Sequence, residues 1–310
     1  MDNLKKRFIP VMLTPFSANG SIDFNALTQL TEMYLNSGAS GLFANCLSSE
    51  MFELTAEERL KAISHVIKVV NGAVPVVATG TFGGKIKEQA DYVKRVHDLG
   101  TEAVIVISSL LAEEQQSDEV FEKQVFDLID QTDGIPLGFY ECPVPYKRLL
   151  SPSQLEAFVA TGRVIYHKDT SLSLIAVKEK IRLTAGHKFG LYDAYMGHAV
   201  ESLKAGSAGL SCIQGNYFPE LIVWLCNNYD NVDRMEEVSL VQTFLITHME
   251  VMHNVYPIVS KYFLNRRGLA LSTFTRREVG ILSNSIIKEI EHLFDAYSIL
   301  KSDLNLPLIV

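Results

Sequence analysis

The chain has 310 residues, of which 47% are apolar and 21% charged, an ordinary globular composition with enough apolar surface for a large core in one domain or one and a half. Its net charge of -8, with no stripe rich in Lys or Arg, argues against nucleic acid or an anionic membrane as the main partner and for a small molecule. The four cysteines, Cys46, Cys142, Cys212 and Cys226, show no C-x-x-C spacing, so neither a zinc site nor a redox pair is indicated, and reduced thiols in a cytoplasmic protein are the expectation.

The apolar run after Lys5, Lys6 and Arg7 breaks at Pro10, too soon for a signal sequence. The longest apolar stretches, such as 221–226, fall far below the roughly 20 residues of a membrane span. Short apolar runs then alternate with helix-period segments to about residue 230. Eight of these runs read as strands: 9–13, 41–45, 74–79, 103–107, 136–140, 164–168, 189–192 and 209–213. The helices between them start on recognisable signals: Asp23 before 24–35, a capping box at Thr55-Ala56-Glu57-Glu58, and Pro152 at the first helical position after Ser151. Eight βα units closing on themselves predict a (β/α)8 TIM barrel over residues 1–231.

From 232 to 310 the pattern changes to helices alone, over 234–253, 256–266 and 276–302. This all-helical extension is suited to oligomerisation, to capping the site, or to packing on the outer helices. A doubly wound dinucleotide-binding sheet lacks its fingerprint, because Gly80-Thr81-Phe82-Gly83-Gly84 is not G-x-G-x-x-G. His248 and His253, five apart on a helix, do not share a face and have no H-E-x-x-H around them, so no metal is expected.

Two residues stand out for chemistry. Tyr140 and Lys168 each close an apolar run, 28 residues apart, and on adjacent parallel strands they would emerge side by side at the carboxyl ends. A lysine in an apolar barrel mouth loses its ammonium form to desolvation and can attack a ketone to give a Schiff base. A neighbouring phenol can relay protons. His167, by strand alternation, should point out of the lumen. The small polar loop Leu47-Ser48-Ser49, after the second strand, can present a hydroxyl and backbone amides to a carboxylate.

With these residues so placed, the chain resembles the dihydrodipicolinate synthase and N-acetylneuraminate lyase family of class I aldolases. The likeness rests on Val11-Met12-Leu13-Thr14-Pro15-Phe16, Gly20-Ser21-Ile22-Asp23, Ser48-Ser49-Glu50, Tyr140 to Pro143, Lys168-Asp169 and Gly206-Ser207-Ala208-Gly209. It implies that Lys168 forms an imine with pyruvate or a related 2-keto acid, that Tyr140 relays protons, and that Leu47, Ser48 and Ser49 hold the carboxylate. It also implies substrate contacts from Asp193 and Tyr195, no cofactor, and a homotetramer or dimer.

The departures from the family pattern bear on the reaction. Leu47 stands where the synthases carry a hydroxyl, Leu110-Leu111 where they carry a tyrosine pair, and Pro145 where they place the arginine that grips the aldehyde's carboxylate. Lysine biosynthesis is therefore not the first expectation. The expected activity is that of a Schiff-base aldolase or dehydratase for a 2-keto-3-deoxy sugar acid, its pocket lined by Leu47, Leu110 and Leu111 with Asn216 as a further polar candidate. The alternatives are a non-catalytic keto-acid-binding or regulatory protein, and N-acetylneuraminate lyase or dihydrodipicolinate synthase itself. Glu50 and Glu141 are expected to bond backbone groups, and Arg266, Arg267, Arg276 and Arg277 to be solvated or interfacial.

Overall fold

Runs that are apolar at every position, rather than alternating, suit parallel strands covered on both faces. The structure, a computed structural model describing residues 5–307 and 309, has eight of them; residues 1–4, 308 and 310 of the two expected domains lie outside the described residues. They are β1 (Arg7–Phe8), β2 (Leu42–Ala44), β3 (Val76–Thr79), β4 (Ala103–Ile107), β5 (Leu137–Tyr140), β6 (Val164–Asp169), β7 (Gly190–Asp193) and β8 (Gly209–Leu210). All pair in parallel in the order β1-β8-β7-β6-β5-β4-β3-β2. The ring closes between β1 and β2 through a Val11 to Phe43 bridge and backbone bonds from Phe43 N to Pro10 O and Met12 N to Phe43 O. The result is the expected TIM barrel.

The first strand registers earlier than its apolar run, at Arg7–Phe8 rather than 9–13, because Pro10 has no N–H to give a ladder and the chain beyond it makes only the isolated bridge. The helix starts are as the sequence predicts. Asp23 Oδ1 accepts from Ala26 N at 3.0 Å, Thr55 and Glu58 exchange bonds at 2.9 and 3.2 Å, and Ser151 and Gln154 do so at 3.0 and 3.2 Å.

Alternation along the strands sorts the core into two parts. Val11, Phe43, Val77, Ile105, Ile107, Tyr140, Tyr166 and Tyr192 pack together inside the barrel. Residues such as Ala44, Val104, Val106, Phe139 and Val164 face the surrounding helices. Gly138 lies two residues before Tyr140 on the inner face, where a Cβ would come within 2.8 Å of the Tyr166 Cβ and 2.7 Å of Ile105 Cδ1. Only glycine lets the strands crowd there.

After the barrel come helices at Met235–Thr247, Met249–His253, Ile258–Arg266 and Asn284–Asp303. The predicted 234–253 helix is broken at His248, and the predicted 276–302 helix begins eight residues late. Arg276 and Arg277 give their backbone N–H groups to the Glu50 carboxylate at 2.7 and 3.0 Å, Gly280 has φ 108°, and Ser283 caps the helix by accepting from Ile286 N at 3.3 Å. Long-range bonds to the barrel thus outcompete local helix propensity over 276–283.

Candidate active site

Tyr140 and Lys168 are direct register partners across β5 and β6. Lys168 Nζ lies 4.3 Å from the centre of the Tyr140 ring and 5.9 Å from that of Phe43. The lysine is only 4% exposed, and burial pulls its pKa below the ordinary value of 10.5, opposed weakly by the thiols of Cys46, Cys142 and Cys212. Among the described residues no carboxylate pairs with it. The phenol of Tyr140 is pushed well above 10, chiefly by burial and then by the neighbouring thiols, and Cys142, which bonds to it, is raised to about 11. A lysine whose neutral form is favoured by burial, beside a protonated phenol, is the pairing suited to attack on a carbonyl and proton delivery to the oxygen it leaves.

The strand-two loop is a 3-10 turn, Leu47–Ser49, ending at Glu50 in the left-handed region with φ 55°. Ser49 is spent holding the turn: its Oγ donates to Met12 O at 2.6 Å and accepts from Cys46 N at 3.0 Å. Glu50, fully buried, accepts the two arginine amides named above and Lys261 Nζ at 3.0 Å. It orders the loop against the C-terminal segment. Ser48 is buried and lies close to the Tyr256 phenol, whose pKa it helps to lower against the larger effect of burial.

On the outer face of the same strands the buried side chains of Glu141, His167, Asp169 and Lys180 form a cluster. Lys180 Nζ donates to Glu141 Oε1 at 2.6 Å and Asp169 Oδ2 at 2.7 Å. Leu150 N and Thr170 N each donate to the Glu141 carboxylate at 2.9 Å. His167 points out of the lumen as alternation requires, its Nε2 3.4 Å from Lys180 Nζ. Burial lowers the Lys180 pKa, but the two carboxylates outweigh it and the net shift is upward. Burial likewise raises Asp169, and bonds from His167 and Lys180 more than reverse it. Glu141, His167 and Asp169 lie close enough to hold a cation, and the Lys180 ammonium already bonds both carboxylates there.

The remaining polar candidates are committed internally. Asp193, 1% exposed, accepts from Tyr195 N at 2.9 Å and pairs with His198 Nε2 at 3.0 Å, while the Tyr195 ring sits edge-on to His198. Asn216 bonds Tyr34, Val11 O and Tyr256. Leu47 and Leu110 pack on the inner cluster with Val144 and Ile213, but Leu111 packs on the outer one, so the Leu110-Leu111 pair, in the 3-10 turn after β4, divides between the two clusters. Arg266 is exposed, as expected, its side chain at 48%, whereas two of the other arginines are tied internally. Arg267, 4% exposed at its side chain, pairs with Glu220 at 2.7 Å, and Arg276 bonds Glu58, Gly20 O and Glu53 O. They tie the extension to the barrel.

Tyr256 is the site residue that sequence reasoning misses. It lies outside both flanking helices, in Asn254-Val255-Tyr256-Pro257, where neither periodicity nor motif marks it.

The model of the dihydrodipicolinate synthetase family matches residues 4–297. A 4-hydroxy-tetrahydrodipicolinate synthase of Oceanobacillus iheyensis is 28% identical over 297 residues, 92% of this chain and 97% of that one. One from Bacillus subtilis is 25% identical over 83% of this chain and 88% of that one. Among solved structures, a monomeric dihydrodipicolinate synthase variant superposes with a TM-score of 0.85 at 20% identity, covering 96% of this chain and 99% of that one. A prophage protein of the dihydrodipicolinic acid synthase family from E. coli K12, in complex with pyruvate, gives 0.84 at 22% identity with the same coverage.

Proposed function

The chain belongs to the dihydrodipicolinate synthetase family of lysine Schiff-base lyases, and on that premise we propose that it forms an imine between Lys168 and pyruvate or a pyruvate-derived 2-keto acid. The observation that carries the reading is the buried Lys168 amine beside the Tyr140 ring, with no carboxylate partner among the described residues. Its neutral nitrogen attacks the keto carbon, and Tyr140 gives a proton to the carbinolamine oxygen, which leaves as water. The iminium then takes up the electron pair when a proton leaves C3, giving an enamine that adds to an aldehyde; the reverse sequence cleaves a 2-keto-3-deoxy acid, and loss of a leaving group dehydrates one.

Ser48 and the amides of its turn are assigned to the keto acid's carboxylate, with Leu47 and Ser49 as the turn's frame. Asp193 and Tyr195 are assigned to the far end of the substrate, Asp193 acting through the bonds that fix Tyr195 and His198. With Leu47, Leu110, Val144 and Ile213 around the mouth and Pro145 in place of an arginine, the chamber suits a second partner less polar than the synthases' carboxylated aldehyde. A cytoplasmic homo-oligomer without a cofactor completes the proposal.

The test is turnover with pyruvate and a panel of aldehydes, graded from alkyl to hydroxylated to carboxylated, in wild type and Lys168→Ala. Turnover confined to wild type supports the lyase. A wild type that binds pyruvate without turnover, and keeps its affinity in Lys168→Ala, would be a keto-acid-binding protein instead.

A further inference from the structure

The pairing of β5 with β6 is interrupted shortly before the two reactive side chains. Register passes from Leu137–Val164 to Gly138–Tyr166, which leaves Ile165 as an extra residue on β6. Only three pairs follow, Gly138–Tyr166, Phe139–His167 and Tyr140–Lys168, so a short ladder past an irregularity sets which face Lys168 occupies. A slip of one residue there would turn the lysine out of the lumen.

The side chains next in sequence to the reactive pair are joined on the opposite face. Glu141 follows Tyr140, Asp169 follows Lys168, and Lys180, from the helix Leu174–Leu183, reaches both carboxylates at 2.6 and 2.7 Å. His167 stands farther off, its Nε2 3.6 Å from each of the same two oxygens. The other two oxygens are also held: Glu141 Oε2 accepts from Thr170 N at 2.9 Å and Asp169 Oδ1 from Ser171 N at 2.8 Å. Thr170 Oγ1 adds a bond to the Glu141 carbonyl at 2.6 Å. No member of the cluster is more than 1% exposed. A buried ion cluster adds little stability over apolar packing of the same volume, and fixing register is the use for which such groups are best attested.

Building on the Schiff-base reading, we propose that Lys180 is a positioning residue: by bonding Glu141 and Asp169 at once it locks β5 to β6 beyond the bulge and sets the spacing and facing of the Tyr140 phenol and the Lys168 amine. It touches no substrate and acts through the two strand ends. Proton delivery from the phenol to the carbinolamine oxygen depends on that spacing, and a misplacement of about 1 Å is enough to slow such a step about a hundredfold.

The test compares Lys180→Met, Tyr140→Phe and the double variant by borohydride trapping with pyruvate, at a temperature where circular dichroism shows each to be folded. Lys180→Met should lower the saturated trapping rate about 30- to 100-fold. The half-saturating pyruvate concentration should change less than about threefold, because the carboxylate is assigned to the turn after β2. In the Tyr140→Phe background, with no phenol left to align, the same substitution should cost less than about threefold. A partial loss of folded protein would instead lower the rate by the same factor in both backgrounds, and that outcome, like an unchanged rate in folded Lys180→Met, overturns the proposal. Should Lys180→Met not fold, Glu141→Asp keeps both charges and shortens one arm of the link by a methylene. It should lower the saturated rate about tenfold, and a wild-type rate would count against the proposal. A wild type that traps no keto acid overturns the lyase reading and this inference with it, whereas folded variants that trap at the wild-type rate overturn this inference alone.

Discussion

Lys168 is held at a cost that can be measured. Its folded pKa lies below 10.5 because burial penalises the ammonium, so the penalty is fully present below the folded pKa and is relieved as pH rises from there toward 10.5. Lys168→Met, which removes the charge and keeps the bulk, should therefore raise the thermal midpoint by a few degrees at neutral pH, with the gain shrinking in alkaline buffer. It should also abolish imine formation. The rate of imine formation in wild type should rise with pH and level off before the ordinary lysine range. Lys180, on the other face, behaves oppositely. Lys180→Met strands the buried Glu141 and Asp169 carboxylates and should cost about 3–5 kcal/mol in urea unfolding. Lys168 and Tyr140 are legible in the sequence because each closes an apolar run. Lys180 is not, because its partners stand at the ends of two different strands, Glu141 just after β5 and Asp169 closing β6, and local pattern carries no sign of them.

The elements beyond the barrel are secured by charge. Arg276 holds the Glu58 carboxyl at about 2, against 4.5 for a free glutamate, mainly through its hydrogen bond. This contribution is complete above pH 4.5 and is lost as pH falls toward 2. Hydrogen-exchange protection across 272–283, relative to the intrinsic rate at each pH, should therefore fall over that interval in wild type, and Glu58→Gln should show low protection already at neutral pH; high protection in that variant would show that Glu58 does not hold the segment. Glu50 is more demanding, because Glu50→Gln leaves the buried Lys261 without its carboxylate. A loss of about 3 kcal/mol or more is expected, together with a disordered 47–49 turn and weaker keto-acid binding; equilibrium unfolding and pyruvate trapping measure the two. The barrel helices are readable because their caps are local, within four residues of the first turn. The late start of the last helix and the role of Arg276 depend on contacts more than 200 residues apart in sequence, which composition and periodicity do not encode.

At the scale of the molecule, every group assigned to the keto acid comes from one chain: Lys168, Tyr140 and the Ser48 turn. Leu111, where the synthases carry a tyrosine, is buried in the outer core of its own chain. Assembly into dimers or tetramers should therefore be dispensable for imine formation. Dilution through the dissociation range, followed by sedimentation velocity, should leave trapping per chain unchanged; a loss that tracks dissociation would show that a partner chain completes the site. The barrel itself follows from eight buried runs and their helices, so the global fold is more legible than the site it carries. The most direct test of the account is borohydride reduction of the intact protein with pyruvate, followed by peptide mass spectrometry. One reduced pyruvyl adduct is expected, on Lys168, absent from Lys168→Ala. No adduct in folded protein, or an adduct on another lysine that survives Lys168→Ala, would contradict it.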